Sequence, residues 1–199
     1  MKRLLIGIAA LCCAIAVSAQ TATPNLRLRG TIEKVDATSI VLKERDGRIM
    51  TLAFAETLSV SEALPIDPAS IQSGTFVGTA AVANPDGSLS ALEVLVFPEA
   101  MRGTGEGHSN WDLQPGATMT NATVAAVAPG TTGRRMTLRY KDGEKTIVVP
   151  DGVPVVTLKP ADRSLLMTGA RVLVTAQNRE GKLVALRVTA GRDGFTPPM

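Results

Sequence analysis

The sequence predicts an all-β protein made of two tandem small five-stranded barrels. Two local signals predict strands: short stretches in which apolar and polar residues alternate, and turn pairs such as Asp46-Gly47 between them. The third observation is a weak internal repeat with a period of roughly 94 residues, which suits a duplicated small domain. It aligns Asp46-Gly47 with Asp142-Gly143, and Gly87-Ser88-Leu89 with Gly181-Lys182-Leu183.

Residues 1–19 have the features of a cleaved signal peptide. Lys2 and Arg3 precede an apolar run from Leu4 to Val17, and a small-residue pattern ends at Ala19. As a helix this run would reach about 21 Å, which is short of the roughly 30 Å hydrocarbon core of a bilayer. We therefore expect cleavage, export to the periplasm, and no transmembrane segment in the mature chain.

Removal of the leader would change what the composition means. Cys12 and Cys13 both lie in it, so the mature chain would lack thiols, which excludes disulfides, thiolate metal sites and a cysteine nucleophile. Without Lys2 and Arg3, the 21 basic residues become 19, against 18 acidic ones. The halves differ, since residues 20–100 hold 6 basic and 10 acidic residues, whereas residues 120–199 hold 12 and 6.

The first copy is predicted to contain five strands and one short helix. Asp46-Gly47 and Asp86-Gly87 predict hairpin turns. Asp67 as a cap, Pro68 at the first helical position and Gly74 as a stop predict a helix over 67–74. The strands are expected at 27–36, 39–45, 48–55, 75–83 and 88–97.

The second copy repeats this order, with its short helix at 160–167. Three strands, a helix and two strands is the order of an OB-like barrel. Two small β-sandwiches or one continuous sheet are the alternatives. The strands are expected at 121–128, 134–141, 144–149, 170–177 and 182–190. The predicted domains are 26–98 and 120–191, with a connecting loop at 99–119 and a C-terminal tail at 192–199.

The connecting loop carries the chain's one histidine, His108, and its one tryptophan, Trp111. A loop that is rich in glycine but contains a tryptophan is expected to be ordered. Trp111 either packs against a barrel as a plug or belongs to a binding site. The composition leaves both roles open.

A metal site in this loop is one functional hypothesis. His108 offers an imidazole, and three side chains of the loop offer carboxylates that suit a divalent ion: Glu99, Glu106 and Asp112. With Met101 and Met119, His108 would instead suit Cu(I) or Ag(I), with Trp111 covering the ion. This set resembles that of the small periplasmic OB-barrel copper and silver chaperones, although their ligands project from strands. A metal ion is the one cofactor that the sequence suggests.

A second hypothesis concerns the predicted hairpin of strands 134–141 and 144–149. Its cations suggest contact with an anionic envelope polymer, an acidic partner or the acidic first copy, although a solvated surface has the same composition. Nucleic acid is not expected, because the mature chain has few aromatic residues to stack on bases. The interaction residues predicted on this hypothesis, together with Trp111, are Arg134, Arg135, Arg139, Lys141 and Lys145.

No enzymatic activity is expected, since His108 lacks a nucleophile-elbow motif or a zinc-protease helix to accompany it. The duplicated strand pattern and the Gly103 to Leu113 loop resemble uncharacterised exported proteins of Gram-negative bacteria with one or two OB-like domains. That resemblance implies no known activity. The sequence thus predicts a non-catalytic periplasmic binding protein whose ligand is unknown. The metal and the anionic-ligand hypotheses are the alternatives. The sequence does not predict the oligomeric state.

Overall fold

The computed structural model describes residues 24–130 and 133–198, which form twelve β-strands and three short 3-10 turns. The predicted signal peptide lies outside the described residues. Within these two ranges, no helix is long and apolar enough to span a membrane. The described chain is therefore all-β, as predicted.

Every predicted strand is present, although the third continues to Pro65 instead of ending near residue 55. Two further strands, β6 and β10, were not predicted. The strands are β1 (Leu26–Val35), β2 (Ser39–Glu44), β3 (Ile49–Pro65), β4 (Phe76–Ala83), β5 (Leu89–Val96), β6 (Gly107–Asn110), β7 (Thr118–Pro129), β8 (Arg134–Tyr140), β9 (Gly143–Val149), β10 (Val155–Ala161), β11 (Arg171–Arg179) and β12 (Lys182–Ala190).

The alternating sequence pattern determines which side of each strand is buried. In β2, Ile40 and Leu42 are buried, while Lys43 of the same strand is exposed. Gly47 and Gly87 adopt positive φ angles of 89° and 81° in the turns that follow Asp46 and Asp86. The predicted hairpins β2–β3 and β4–β5 both form.

The two predicted helices are wrong in type and extent. Asp67 caps a 3-10 turn over Pro68–Ser70, where its side chain accepts a hydrogen bond from the amide of Ala69 at 2.7 Å. The second turn covers only Arg163–Leu165, because Pro160 belongs to β10. Nucleating an α-helix is unfavourable, and segments this short gain too few hydrogen bonds to compensate. The capping residues therefore stabilise single 3-10 turns.

One closed ring, called barrel one, combines strands from both halves of the sequence. It contains β1, β2 and β3 from the first half and β11 and β12 from the second. β11 pairs antiparallel with β1, and β12 closes the ring by pairing parallel with β3. Its interior includes Ile32, Leu42, Leu52, Val174 and Val188.

A second ring, called barrel two, takes the remaining strands of each half. It contains β4 and β5 from the first half and β7, β8 and β9 from the second. β4 pairs antiparallel with β7, and a short parallel contact between β5 and β9 closes the ring. Its interior includes Val77, Val94, Val124, Leu138 and Ile147.

β10 joins the two barrels. It pairs antiparallel with the end of β3 and parallel with β5. Ala63 and Leu158 occupy corresponding positions of the repeat and pair directly with each other, so the two halves are related by an approximate two-fold axis at this point. A small apolar cluster with Leu95 and Val156 surrounds this pair, and Phe195 of the C-terminal tail packs against it.

The strand pairings correct the predicted domain boundaries, because neither 26–98 nor 120–191 closes a barrel by itself. β3 stays extended for 17 residues, pairing first with β2 and then with β10, and so carries the chain out of barrel one before β4 begins. The sequence predicts the local hairpins. It does not show which copy completes each ring, because both copies carry the same strand pattern.

Candidate functional site

The connecting segment is ordered, and its glycine-rich part is fastened to barrel two. The side-chain amide of Asn121 donates hydrogen bonds to the backbone oxygens of Thr104 at 3.1 Å and Gly105 at 3.2 Å. Gly78 makes room for this amide, because a Cβ there would lie 2.5 Å from Asn121 Oδ1. The segment then forms β6, which pairs with β7.

The next part of the segment reaches barrel one. The guanidinium of Arg27 lies 3.9 Å from the ring centroid of Trp111. The carboxylate of Asp112 accepts a 2.8 Å hydrogen bond from Arg29 and lies 3.6 Å from Arg27. Trp111 is half-buried in this contact, so it packs against a barrel, which is one of the two roles that the sequence left open.

The predicted metal ligands are dispersed among separate contacts. Glu106 accepts a 3.0 Å hydrogen bond from the backbone amide of Lys141, and Asp112 is bound to Arg29. Met101 packs against the apolar cluster between the barrels. Across residues 24–130 and 133–198, no group of three or more His, Cys, Asp or Glu side chains could hold a metal ion.

The softer ligand set is also not assembled, because His108 and Met119 face opposite sides of the sheet. The β6–β7 register pairs His108 with Thr120 and Ser109 with Met119. His108 Nδ1 lies 2.8 Å from Thr120 Oγ1, which places both side chains on the same face. Neighbouring residues of a strand point to opposite faces, so Met119 points away from the imidazole.

The surroundings of His108 give no support to nucleophilic catalysis. Its ring stacks on Tyr140 with 6.4 Å between the centroids. Burial, and to a smaller extent the charge of Lys145, lower the pKa of His108 and keep the imidazole neutral. Thr120, the hydroxyl beside it, is fully buried and therefore out of reach of a substrate.

The predicted basic hairpin is divided among several partners. Arg134 donates a 3.0 Å hydrogen bond to the backbone oxygen of Pro68, which fixes the hairpin to the first 3-10 turn. Arg139 forms an exposed ion pair with Glu144 at 3.2 Å. Both contacts are made within the molecule, so these two arginines have partners already.

The other three predicted interaction residues point in different directions. Lys145 pairs in register with Leu138, a buried residue of the barrel interior, and its charge acts on His108. Arg135 lies on the opposite side of β8. It adds a minor contribution to the lowered pKa of Asp86, whose main cause is the hydrogen bond from Ser88. The backbone of Lys141 holds Glu106, so the hairpin does not present one row of cations.

A coherent set of cations lies instead on the outer surface of barrel one. Leu28 and Ile32 of β1 point into the barrel, and Arg27 and Arg29 alternate with them and point outward. The register places the outward residues of β2, β11 and β12 beside them. We call this surface the basic face, and its cations are Arg27, Arg29, Lys43, Arg171, Arg179 and Arg187.

Much of the positive charge on the basic face is not neutralised. Lys43, Arg179 and Arg187 are exposed, and in the described part of the chain none of them forms an ion pair. Asp112 is the carboxylate that binds Arg27 and Arg29. The basic face is therefore open to an anionic ligand.

Sequence reasoning missed the basic face because strands from opposite ends of the chain build it. Arg27 and Arg29 belong to β1, whereas Arg171 and Arg187 belong to β11 and β12. The one local signal is the alternation Leu26-Arg27-Leu28-Arg29, which places two arginines on the same side of a strand.

Comparisons with models of protein families, with curated proteins and with solved structures find no match to this chain. The protein is therefore described by its own fold and surface. It consists of two five-stranded barrels that exchange strands, and barrel one carries the basic face on its outer surface.

Proposed function

We propose that this protein is an exported, non-catalytic binding module that holds an anionic polymer on the basic face of barrel one. The signal-peptide pattern supports export, and the resemblance to exported proteins of Gram-negative bacteria supports a periplasmic location. Each ring follows the order first, second, third, fifth, fourth strand, which supports the OB-like interpretation. OB-like barrels commonly bind ligands on an outer strand surface.

The observation that carries this proposal is the spread of the cations over four adjacent strands. Neighbouring strands lie about 4.8 Å apart and alternate residues along a strand about 6.7 Å apart. The cations of the basic face therefore extend over roughly 14 Å across β2, β1, β11 and β12. That spacing suits a chain of repeated anionic groups better than one small anion.

The proposal keeps the anionic-ligand hypothesis but places the site elsewhere. Arg134 and Arg139, which the sequence suggested, are bound to Pro68 and Glu144. The strand exchange brings the basic strands β11 and β12 of the second half onto barrel one. The metal hypothesis receives no comparable support, because its predicted ligands lie apart.

Two matched variants test the proposed site. One replaces Lys43, Arg179 and Arg187 with Gln, and the control replaces Arg134, Arg135 and Arg139 with Gln, so both lose three positive charges. Binding of inorganic polyphosphate and of polygalacturonate would be measured at several salt concentrations. Exposed charge pairs contribute about 0.2–1 kcal/mol each, so we expect the first variant to bind about tenfold more weakly than wild type.

The control variant is expected to bind within about twofold of wild type and to keep the same dependence on salt. Equal losses in both variants would show attraction to overall charge and would contradict the proposed site. A loss confined to the control would assign the site to the hairpin instead. Absence of binding by the wild-type protein to both polymers would overturn the proposed function.

A further inference from the structure

One end of the basic face is closed by the C-terminal tail and forms a pocket of about 350 Å³. The register aligns Arg171, Thr31 and Lys43 in one row across β11, β1 and β2. Thr196 of the tail accepts a 2.7 Å hydrogen bond from Arg171 and forms one wall of the pocket. Arg45 lies on its rim at the end of the β2 hairpin.

Two contacts hold in place the tail that forms this wall. Arg192 forms an ion pair with Glu62 of β3 at 2.8 Å, and its hydrogen bond and, to a smaller extent, its charge lower the pKa of that carboxyl. Phe195 packs against the apolar cluster between the barrels. Thr196 therefore has a defined position, so the pocket belongs to the folded protein.

The pocket is lined by positively charged groups together with hydroxyl and carboxylate groups. Lys43, Arg45 and Arg171 supply three cations, which match one phosphate or carboxylate group. Thr31 supplies a hydroxyl and Glu33 an exposed carboxylate, and both can hydrogen-bond to ligand hydroxyl groups. Glu44 also lines the pocket, and its carboxylate forms an ion pair with Arg48 at 2.7 Å. A cluster of cations alone would suit any anion, but these additional polar groups suit an anion that carries hydroxyls.

We infer that this pocket binds an acidic sugar unit, meaning a sugar that carries a phosphate or a carboxylate group. The inference rests on the proposed function, because such a unit would be one repeat or the end of the anionic polymer. The volume of the pocket lies within the range of small-ligand sites. A single sugar with one anionic group fits that range.

The corresponding cleft of barrel two shows why the pocket of barrel one is the better site. It has Thr123, Arg139 and Lys141 at the positions of Thr31, Lys43 and Arg45. In place of Arg171, however, it has Phe76, which is buried, and the carboxylate of Glu106 lines it. The lining of the cleft thus contains two cations, whereas that of the pocket in barrel one contains three.

Calorimetric titration with single sugars tests the inference separately from polymer binding. The probes are glucose 6-phosphate and glucuronate, with glucose and inorganic phosphate as controls, each used up to about 10 mM because weak sites have millimolar affinity. We expect at least one acidic sugar to bind with one-to-one stoichiometry, and neither control to bind as tightly. Binding of the phosphorylated sugar alone would identify phosphate as the recognised group, and binding of glucuronate alone would identify carboxylate.

Three variants connect the titration to the pocket. Lys43→Gln and Thr31→Val are expected to weaken sugar binding by about fivefold or more, since each removes one polar contact. Arg135→Gln, an exposed residue of barrel two outside the basic face, should leave it unchanged. Equal binding of inorganic phosphate, unchanged binding in both pocket variants, or an equal loss with Arg135→Gln would overturn the inference. Polymer binding without any sugar binding would also overturn it and leave the proposed function standing, whereas loss of both would overturn both.

Discussion

The two barrels share one strand order but differ at the same positions of their outer surfaces. Arg27 and Arg171 on barrel one correspond in the repeat to Met119 and Phe76 on barrel two. Met119 and Phe76 are 5% and 3% exposed, whereas both arginines are exposed. The same surface is therefore apolar and covered in barrel two, and charged and open in barrel one.

The connecting segment explains this difference, because it attaches to both barrels at equivalent positions. Asn121 of barrel two holds the backbone at Thr104 and Gly105, and Arg29, its counterpart in barrel one, holds Asp112. On barrel two the segment adds a strand, β6, to the sheet. On barrel one it contacts Arg27 and Arg29 of β1 through Trp111 and Asp112. The surface of barrel two therefore packs against the segment, whereas the equivalent surface of barrel one is the proposed binding surface.

The largest expected effect comes from giving one barrel the residue that the other has at the equivalent position. Gly30 in barrel one corresponds to Ala122 in barrel two, and a Cβ at position 30 would lie 2.1 Å from the backbone oxygen of Lys43. We expect Gly30→Ala to lower the free energy of unfolding by about 1–3 kcal/mol, because the β1 and β2 backbones must separate. Chemical denaturation measures this value.

The reciprocal variant, Ala122→Gly, serves as the control. It adds no atoms, so it should cost only about 0.5–1 kcal/mol through backbone entropy and the lost methyl group. If Gly30→Ala were neutral, the close approach of β1 and β2 would be wrong and the barrels would be more alike than described.

A smaller effect concerns pH and depends on β6, which only barrel two carries. The pKa of His108 is lowered in the folded state, so below its unfolded value of about 6.5 the unfolded chain binds more protons than the folded one. Stability should therefore fall as the pH decreases from about 7 through 6.5, and this loss should end below the lowered folded pKa.

The measurement is the denaturation midpoint between pH 5 and 8 for wild type and for His108→Gln. The variant should be less sensitive to pH within this window. The carboxyl groups with lowered pKa values, such as Asp36 and Asp46, act at more acidic pH and affect both proteins equally. An identical pH dependence of the two proteins would show that His108 is not shielded by the β6–β7 hairpin.

Much of the strand content can be predicted from the sequence, because each strand alternates between core and solvent. Ile40 and Leu42, or Met136 and Leu138, reveal their strands without knowledge of the fold. β10 escapes prediction because Pro154 and Pro160 interrupt its pattern and its partners, β3 and β5, are distant in sequence. Non-local pairing of this kind leaves no local signal.

The candidate site is less predictable for the same reason. Trp111 and Asp112 could be chosen from the sequence, because a tryptophan in a glycine-rich loop is unusual. Their partners Arg27 and Arg29 lie more than 80 residues away, and no sequence spacing connects them. The exchange of strands, rather than any single motif, determines which charges share a surface.

An engineered disulfide tests the exchanged strands most directly. In a chain with Cys12 and Cys13 replaced by Ser, the pair Arg27→Cys and Thr175→Cys lies directly opposite in the β1–β11 register. Such residues have Cα atoms about 4.5–5.5 Å apart, within the range that a disulfide bridges. The control pair is Arg27→Cys and Ala80→Cys, since Ala80 is the residue of the first half that corresponds to Thr175.

After mild oxidation, peptide mapping by mass spectrometry would show which cysteines are linked within one chain. Strand exchange predicts a nearly complete link between positions 27 and 175 and no link between positions 27 and 80. A link between 27 and 80, without one between 27 and 175, would mean that each half closes its own barrel, and it would contradict the exchanged fold.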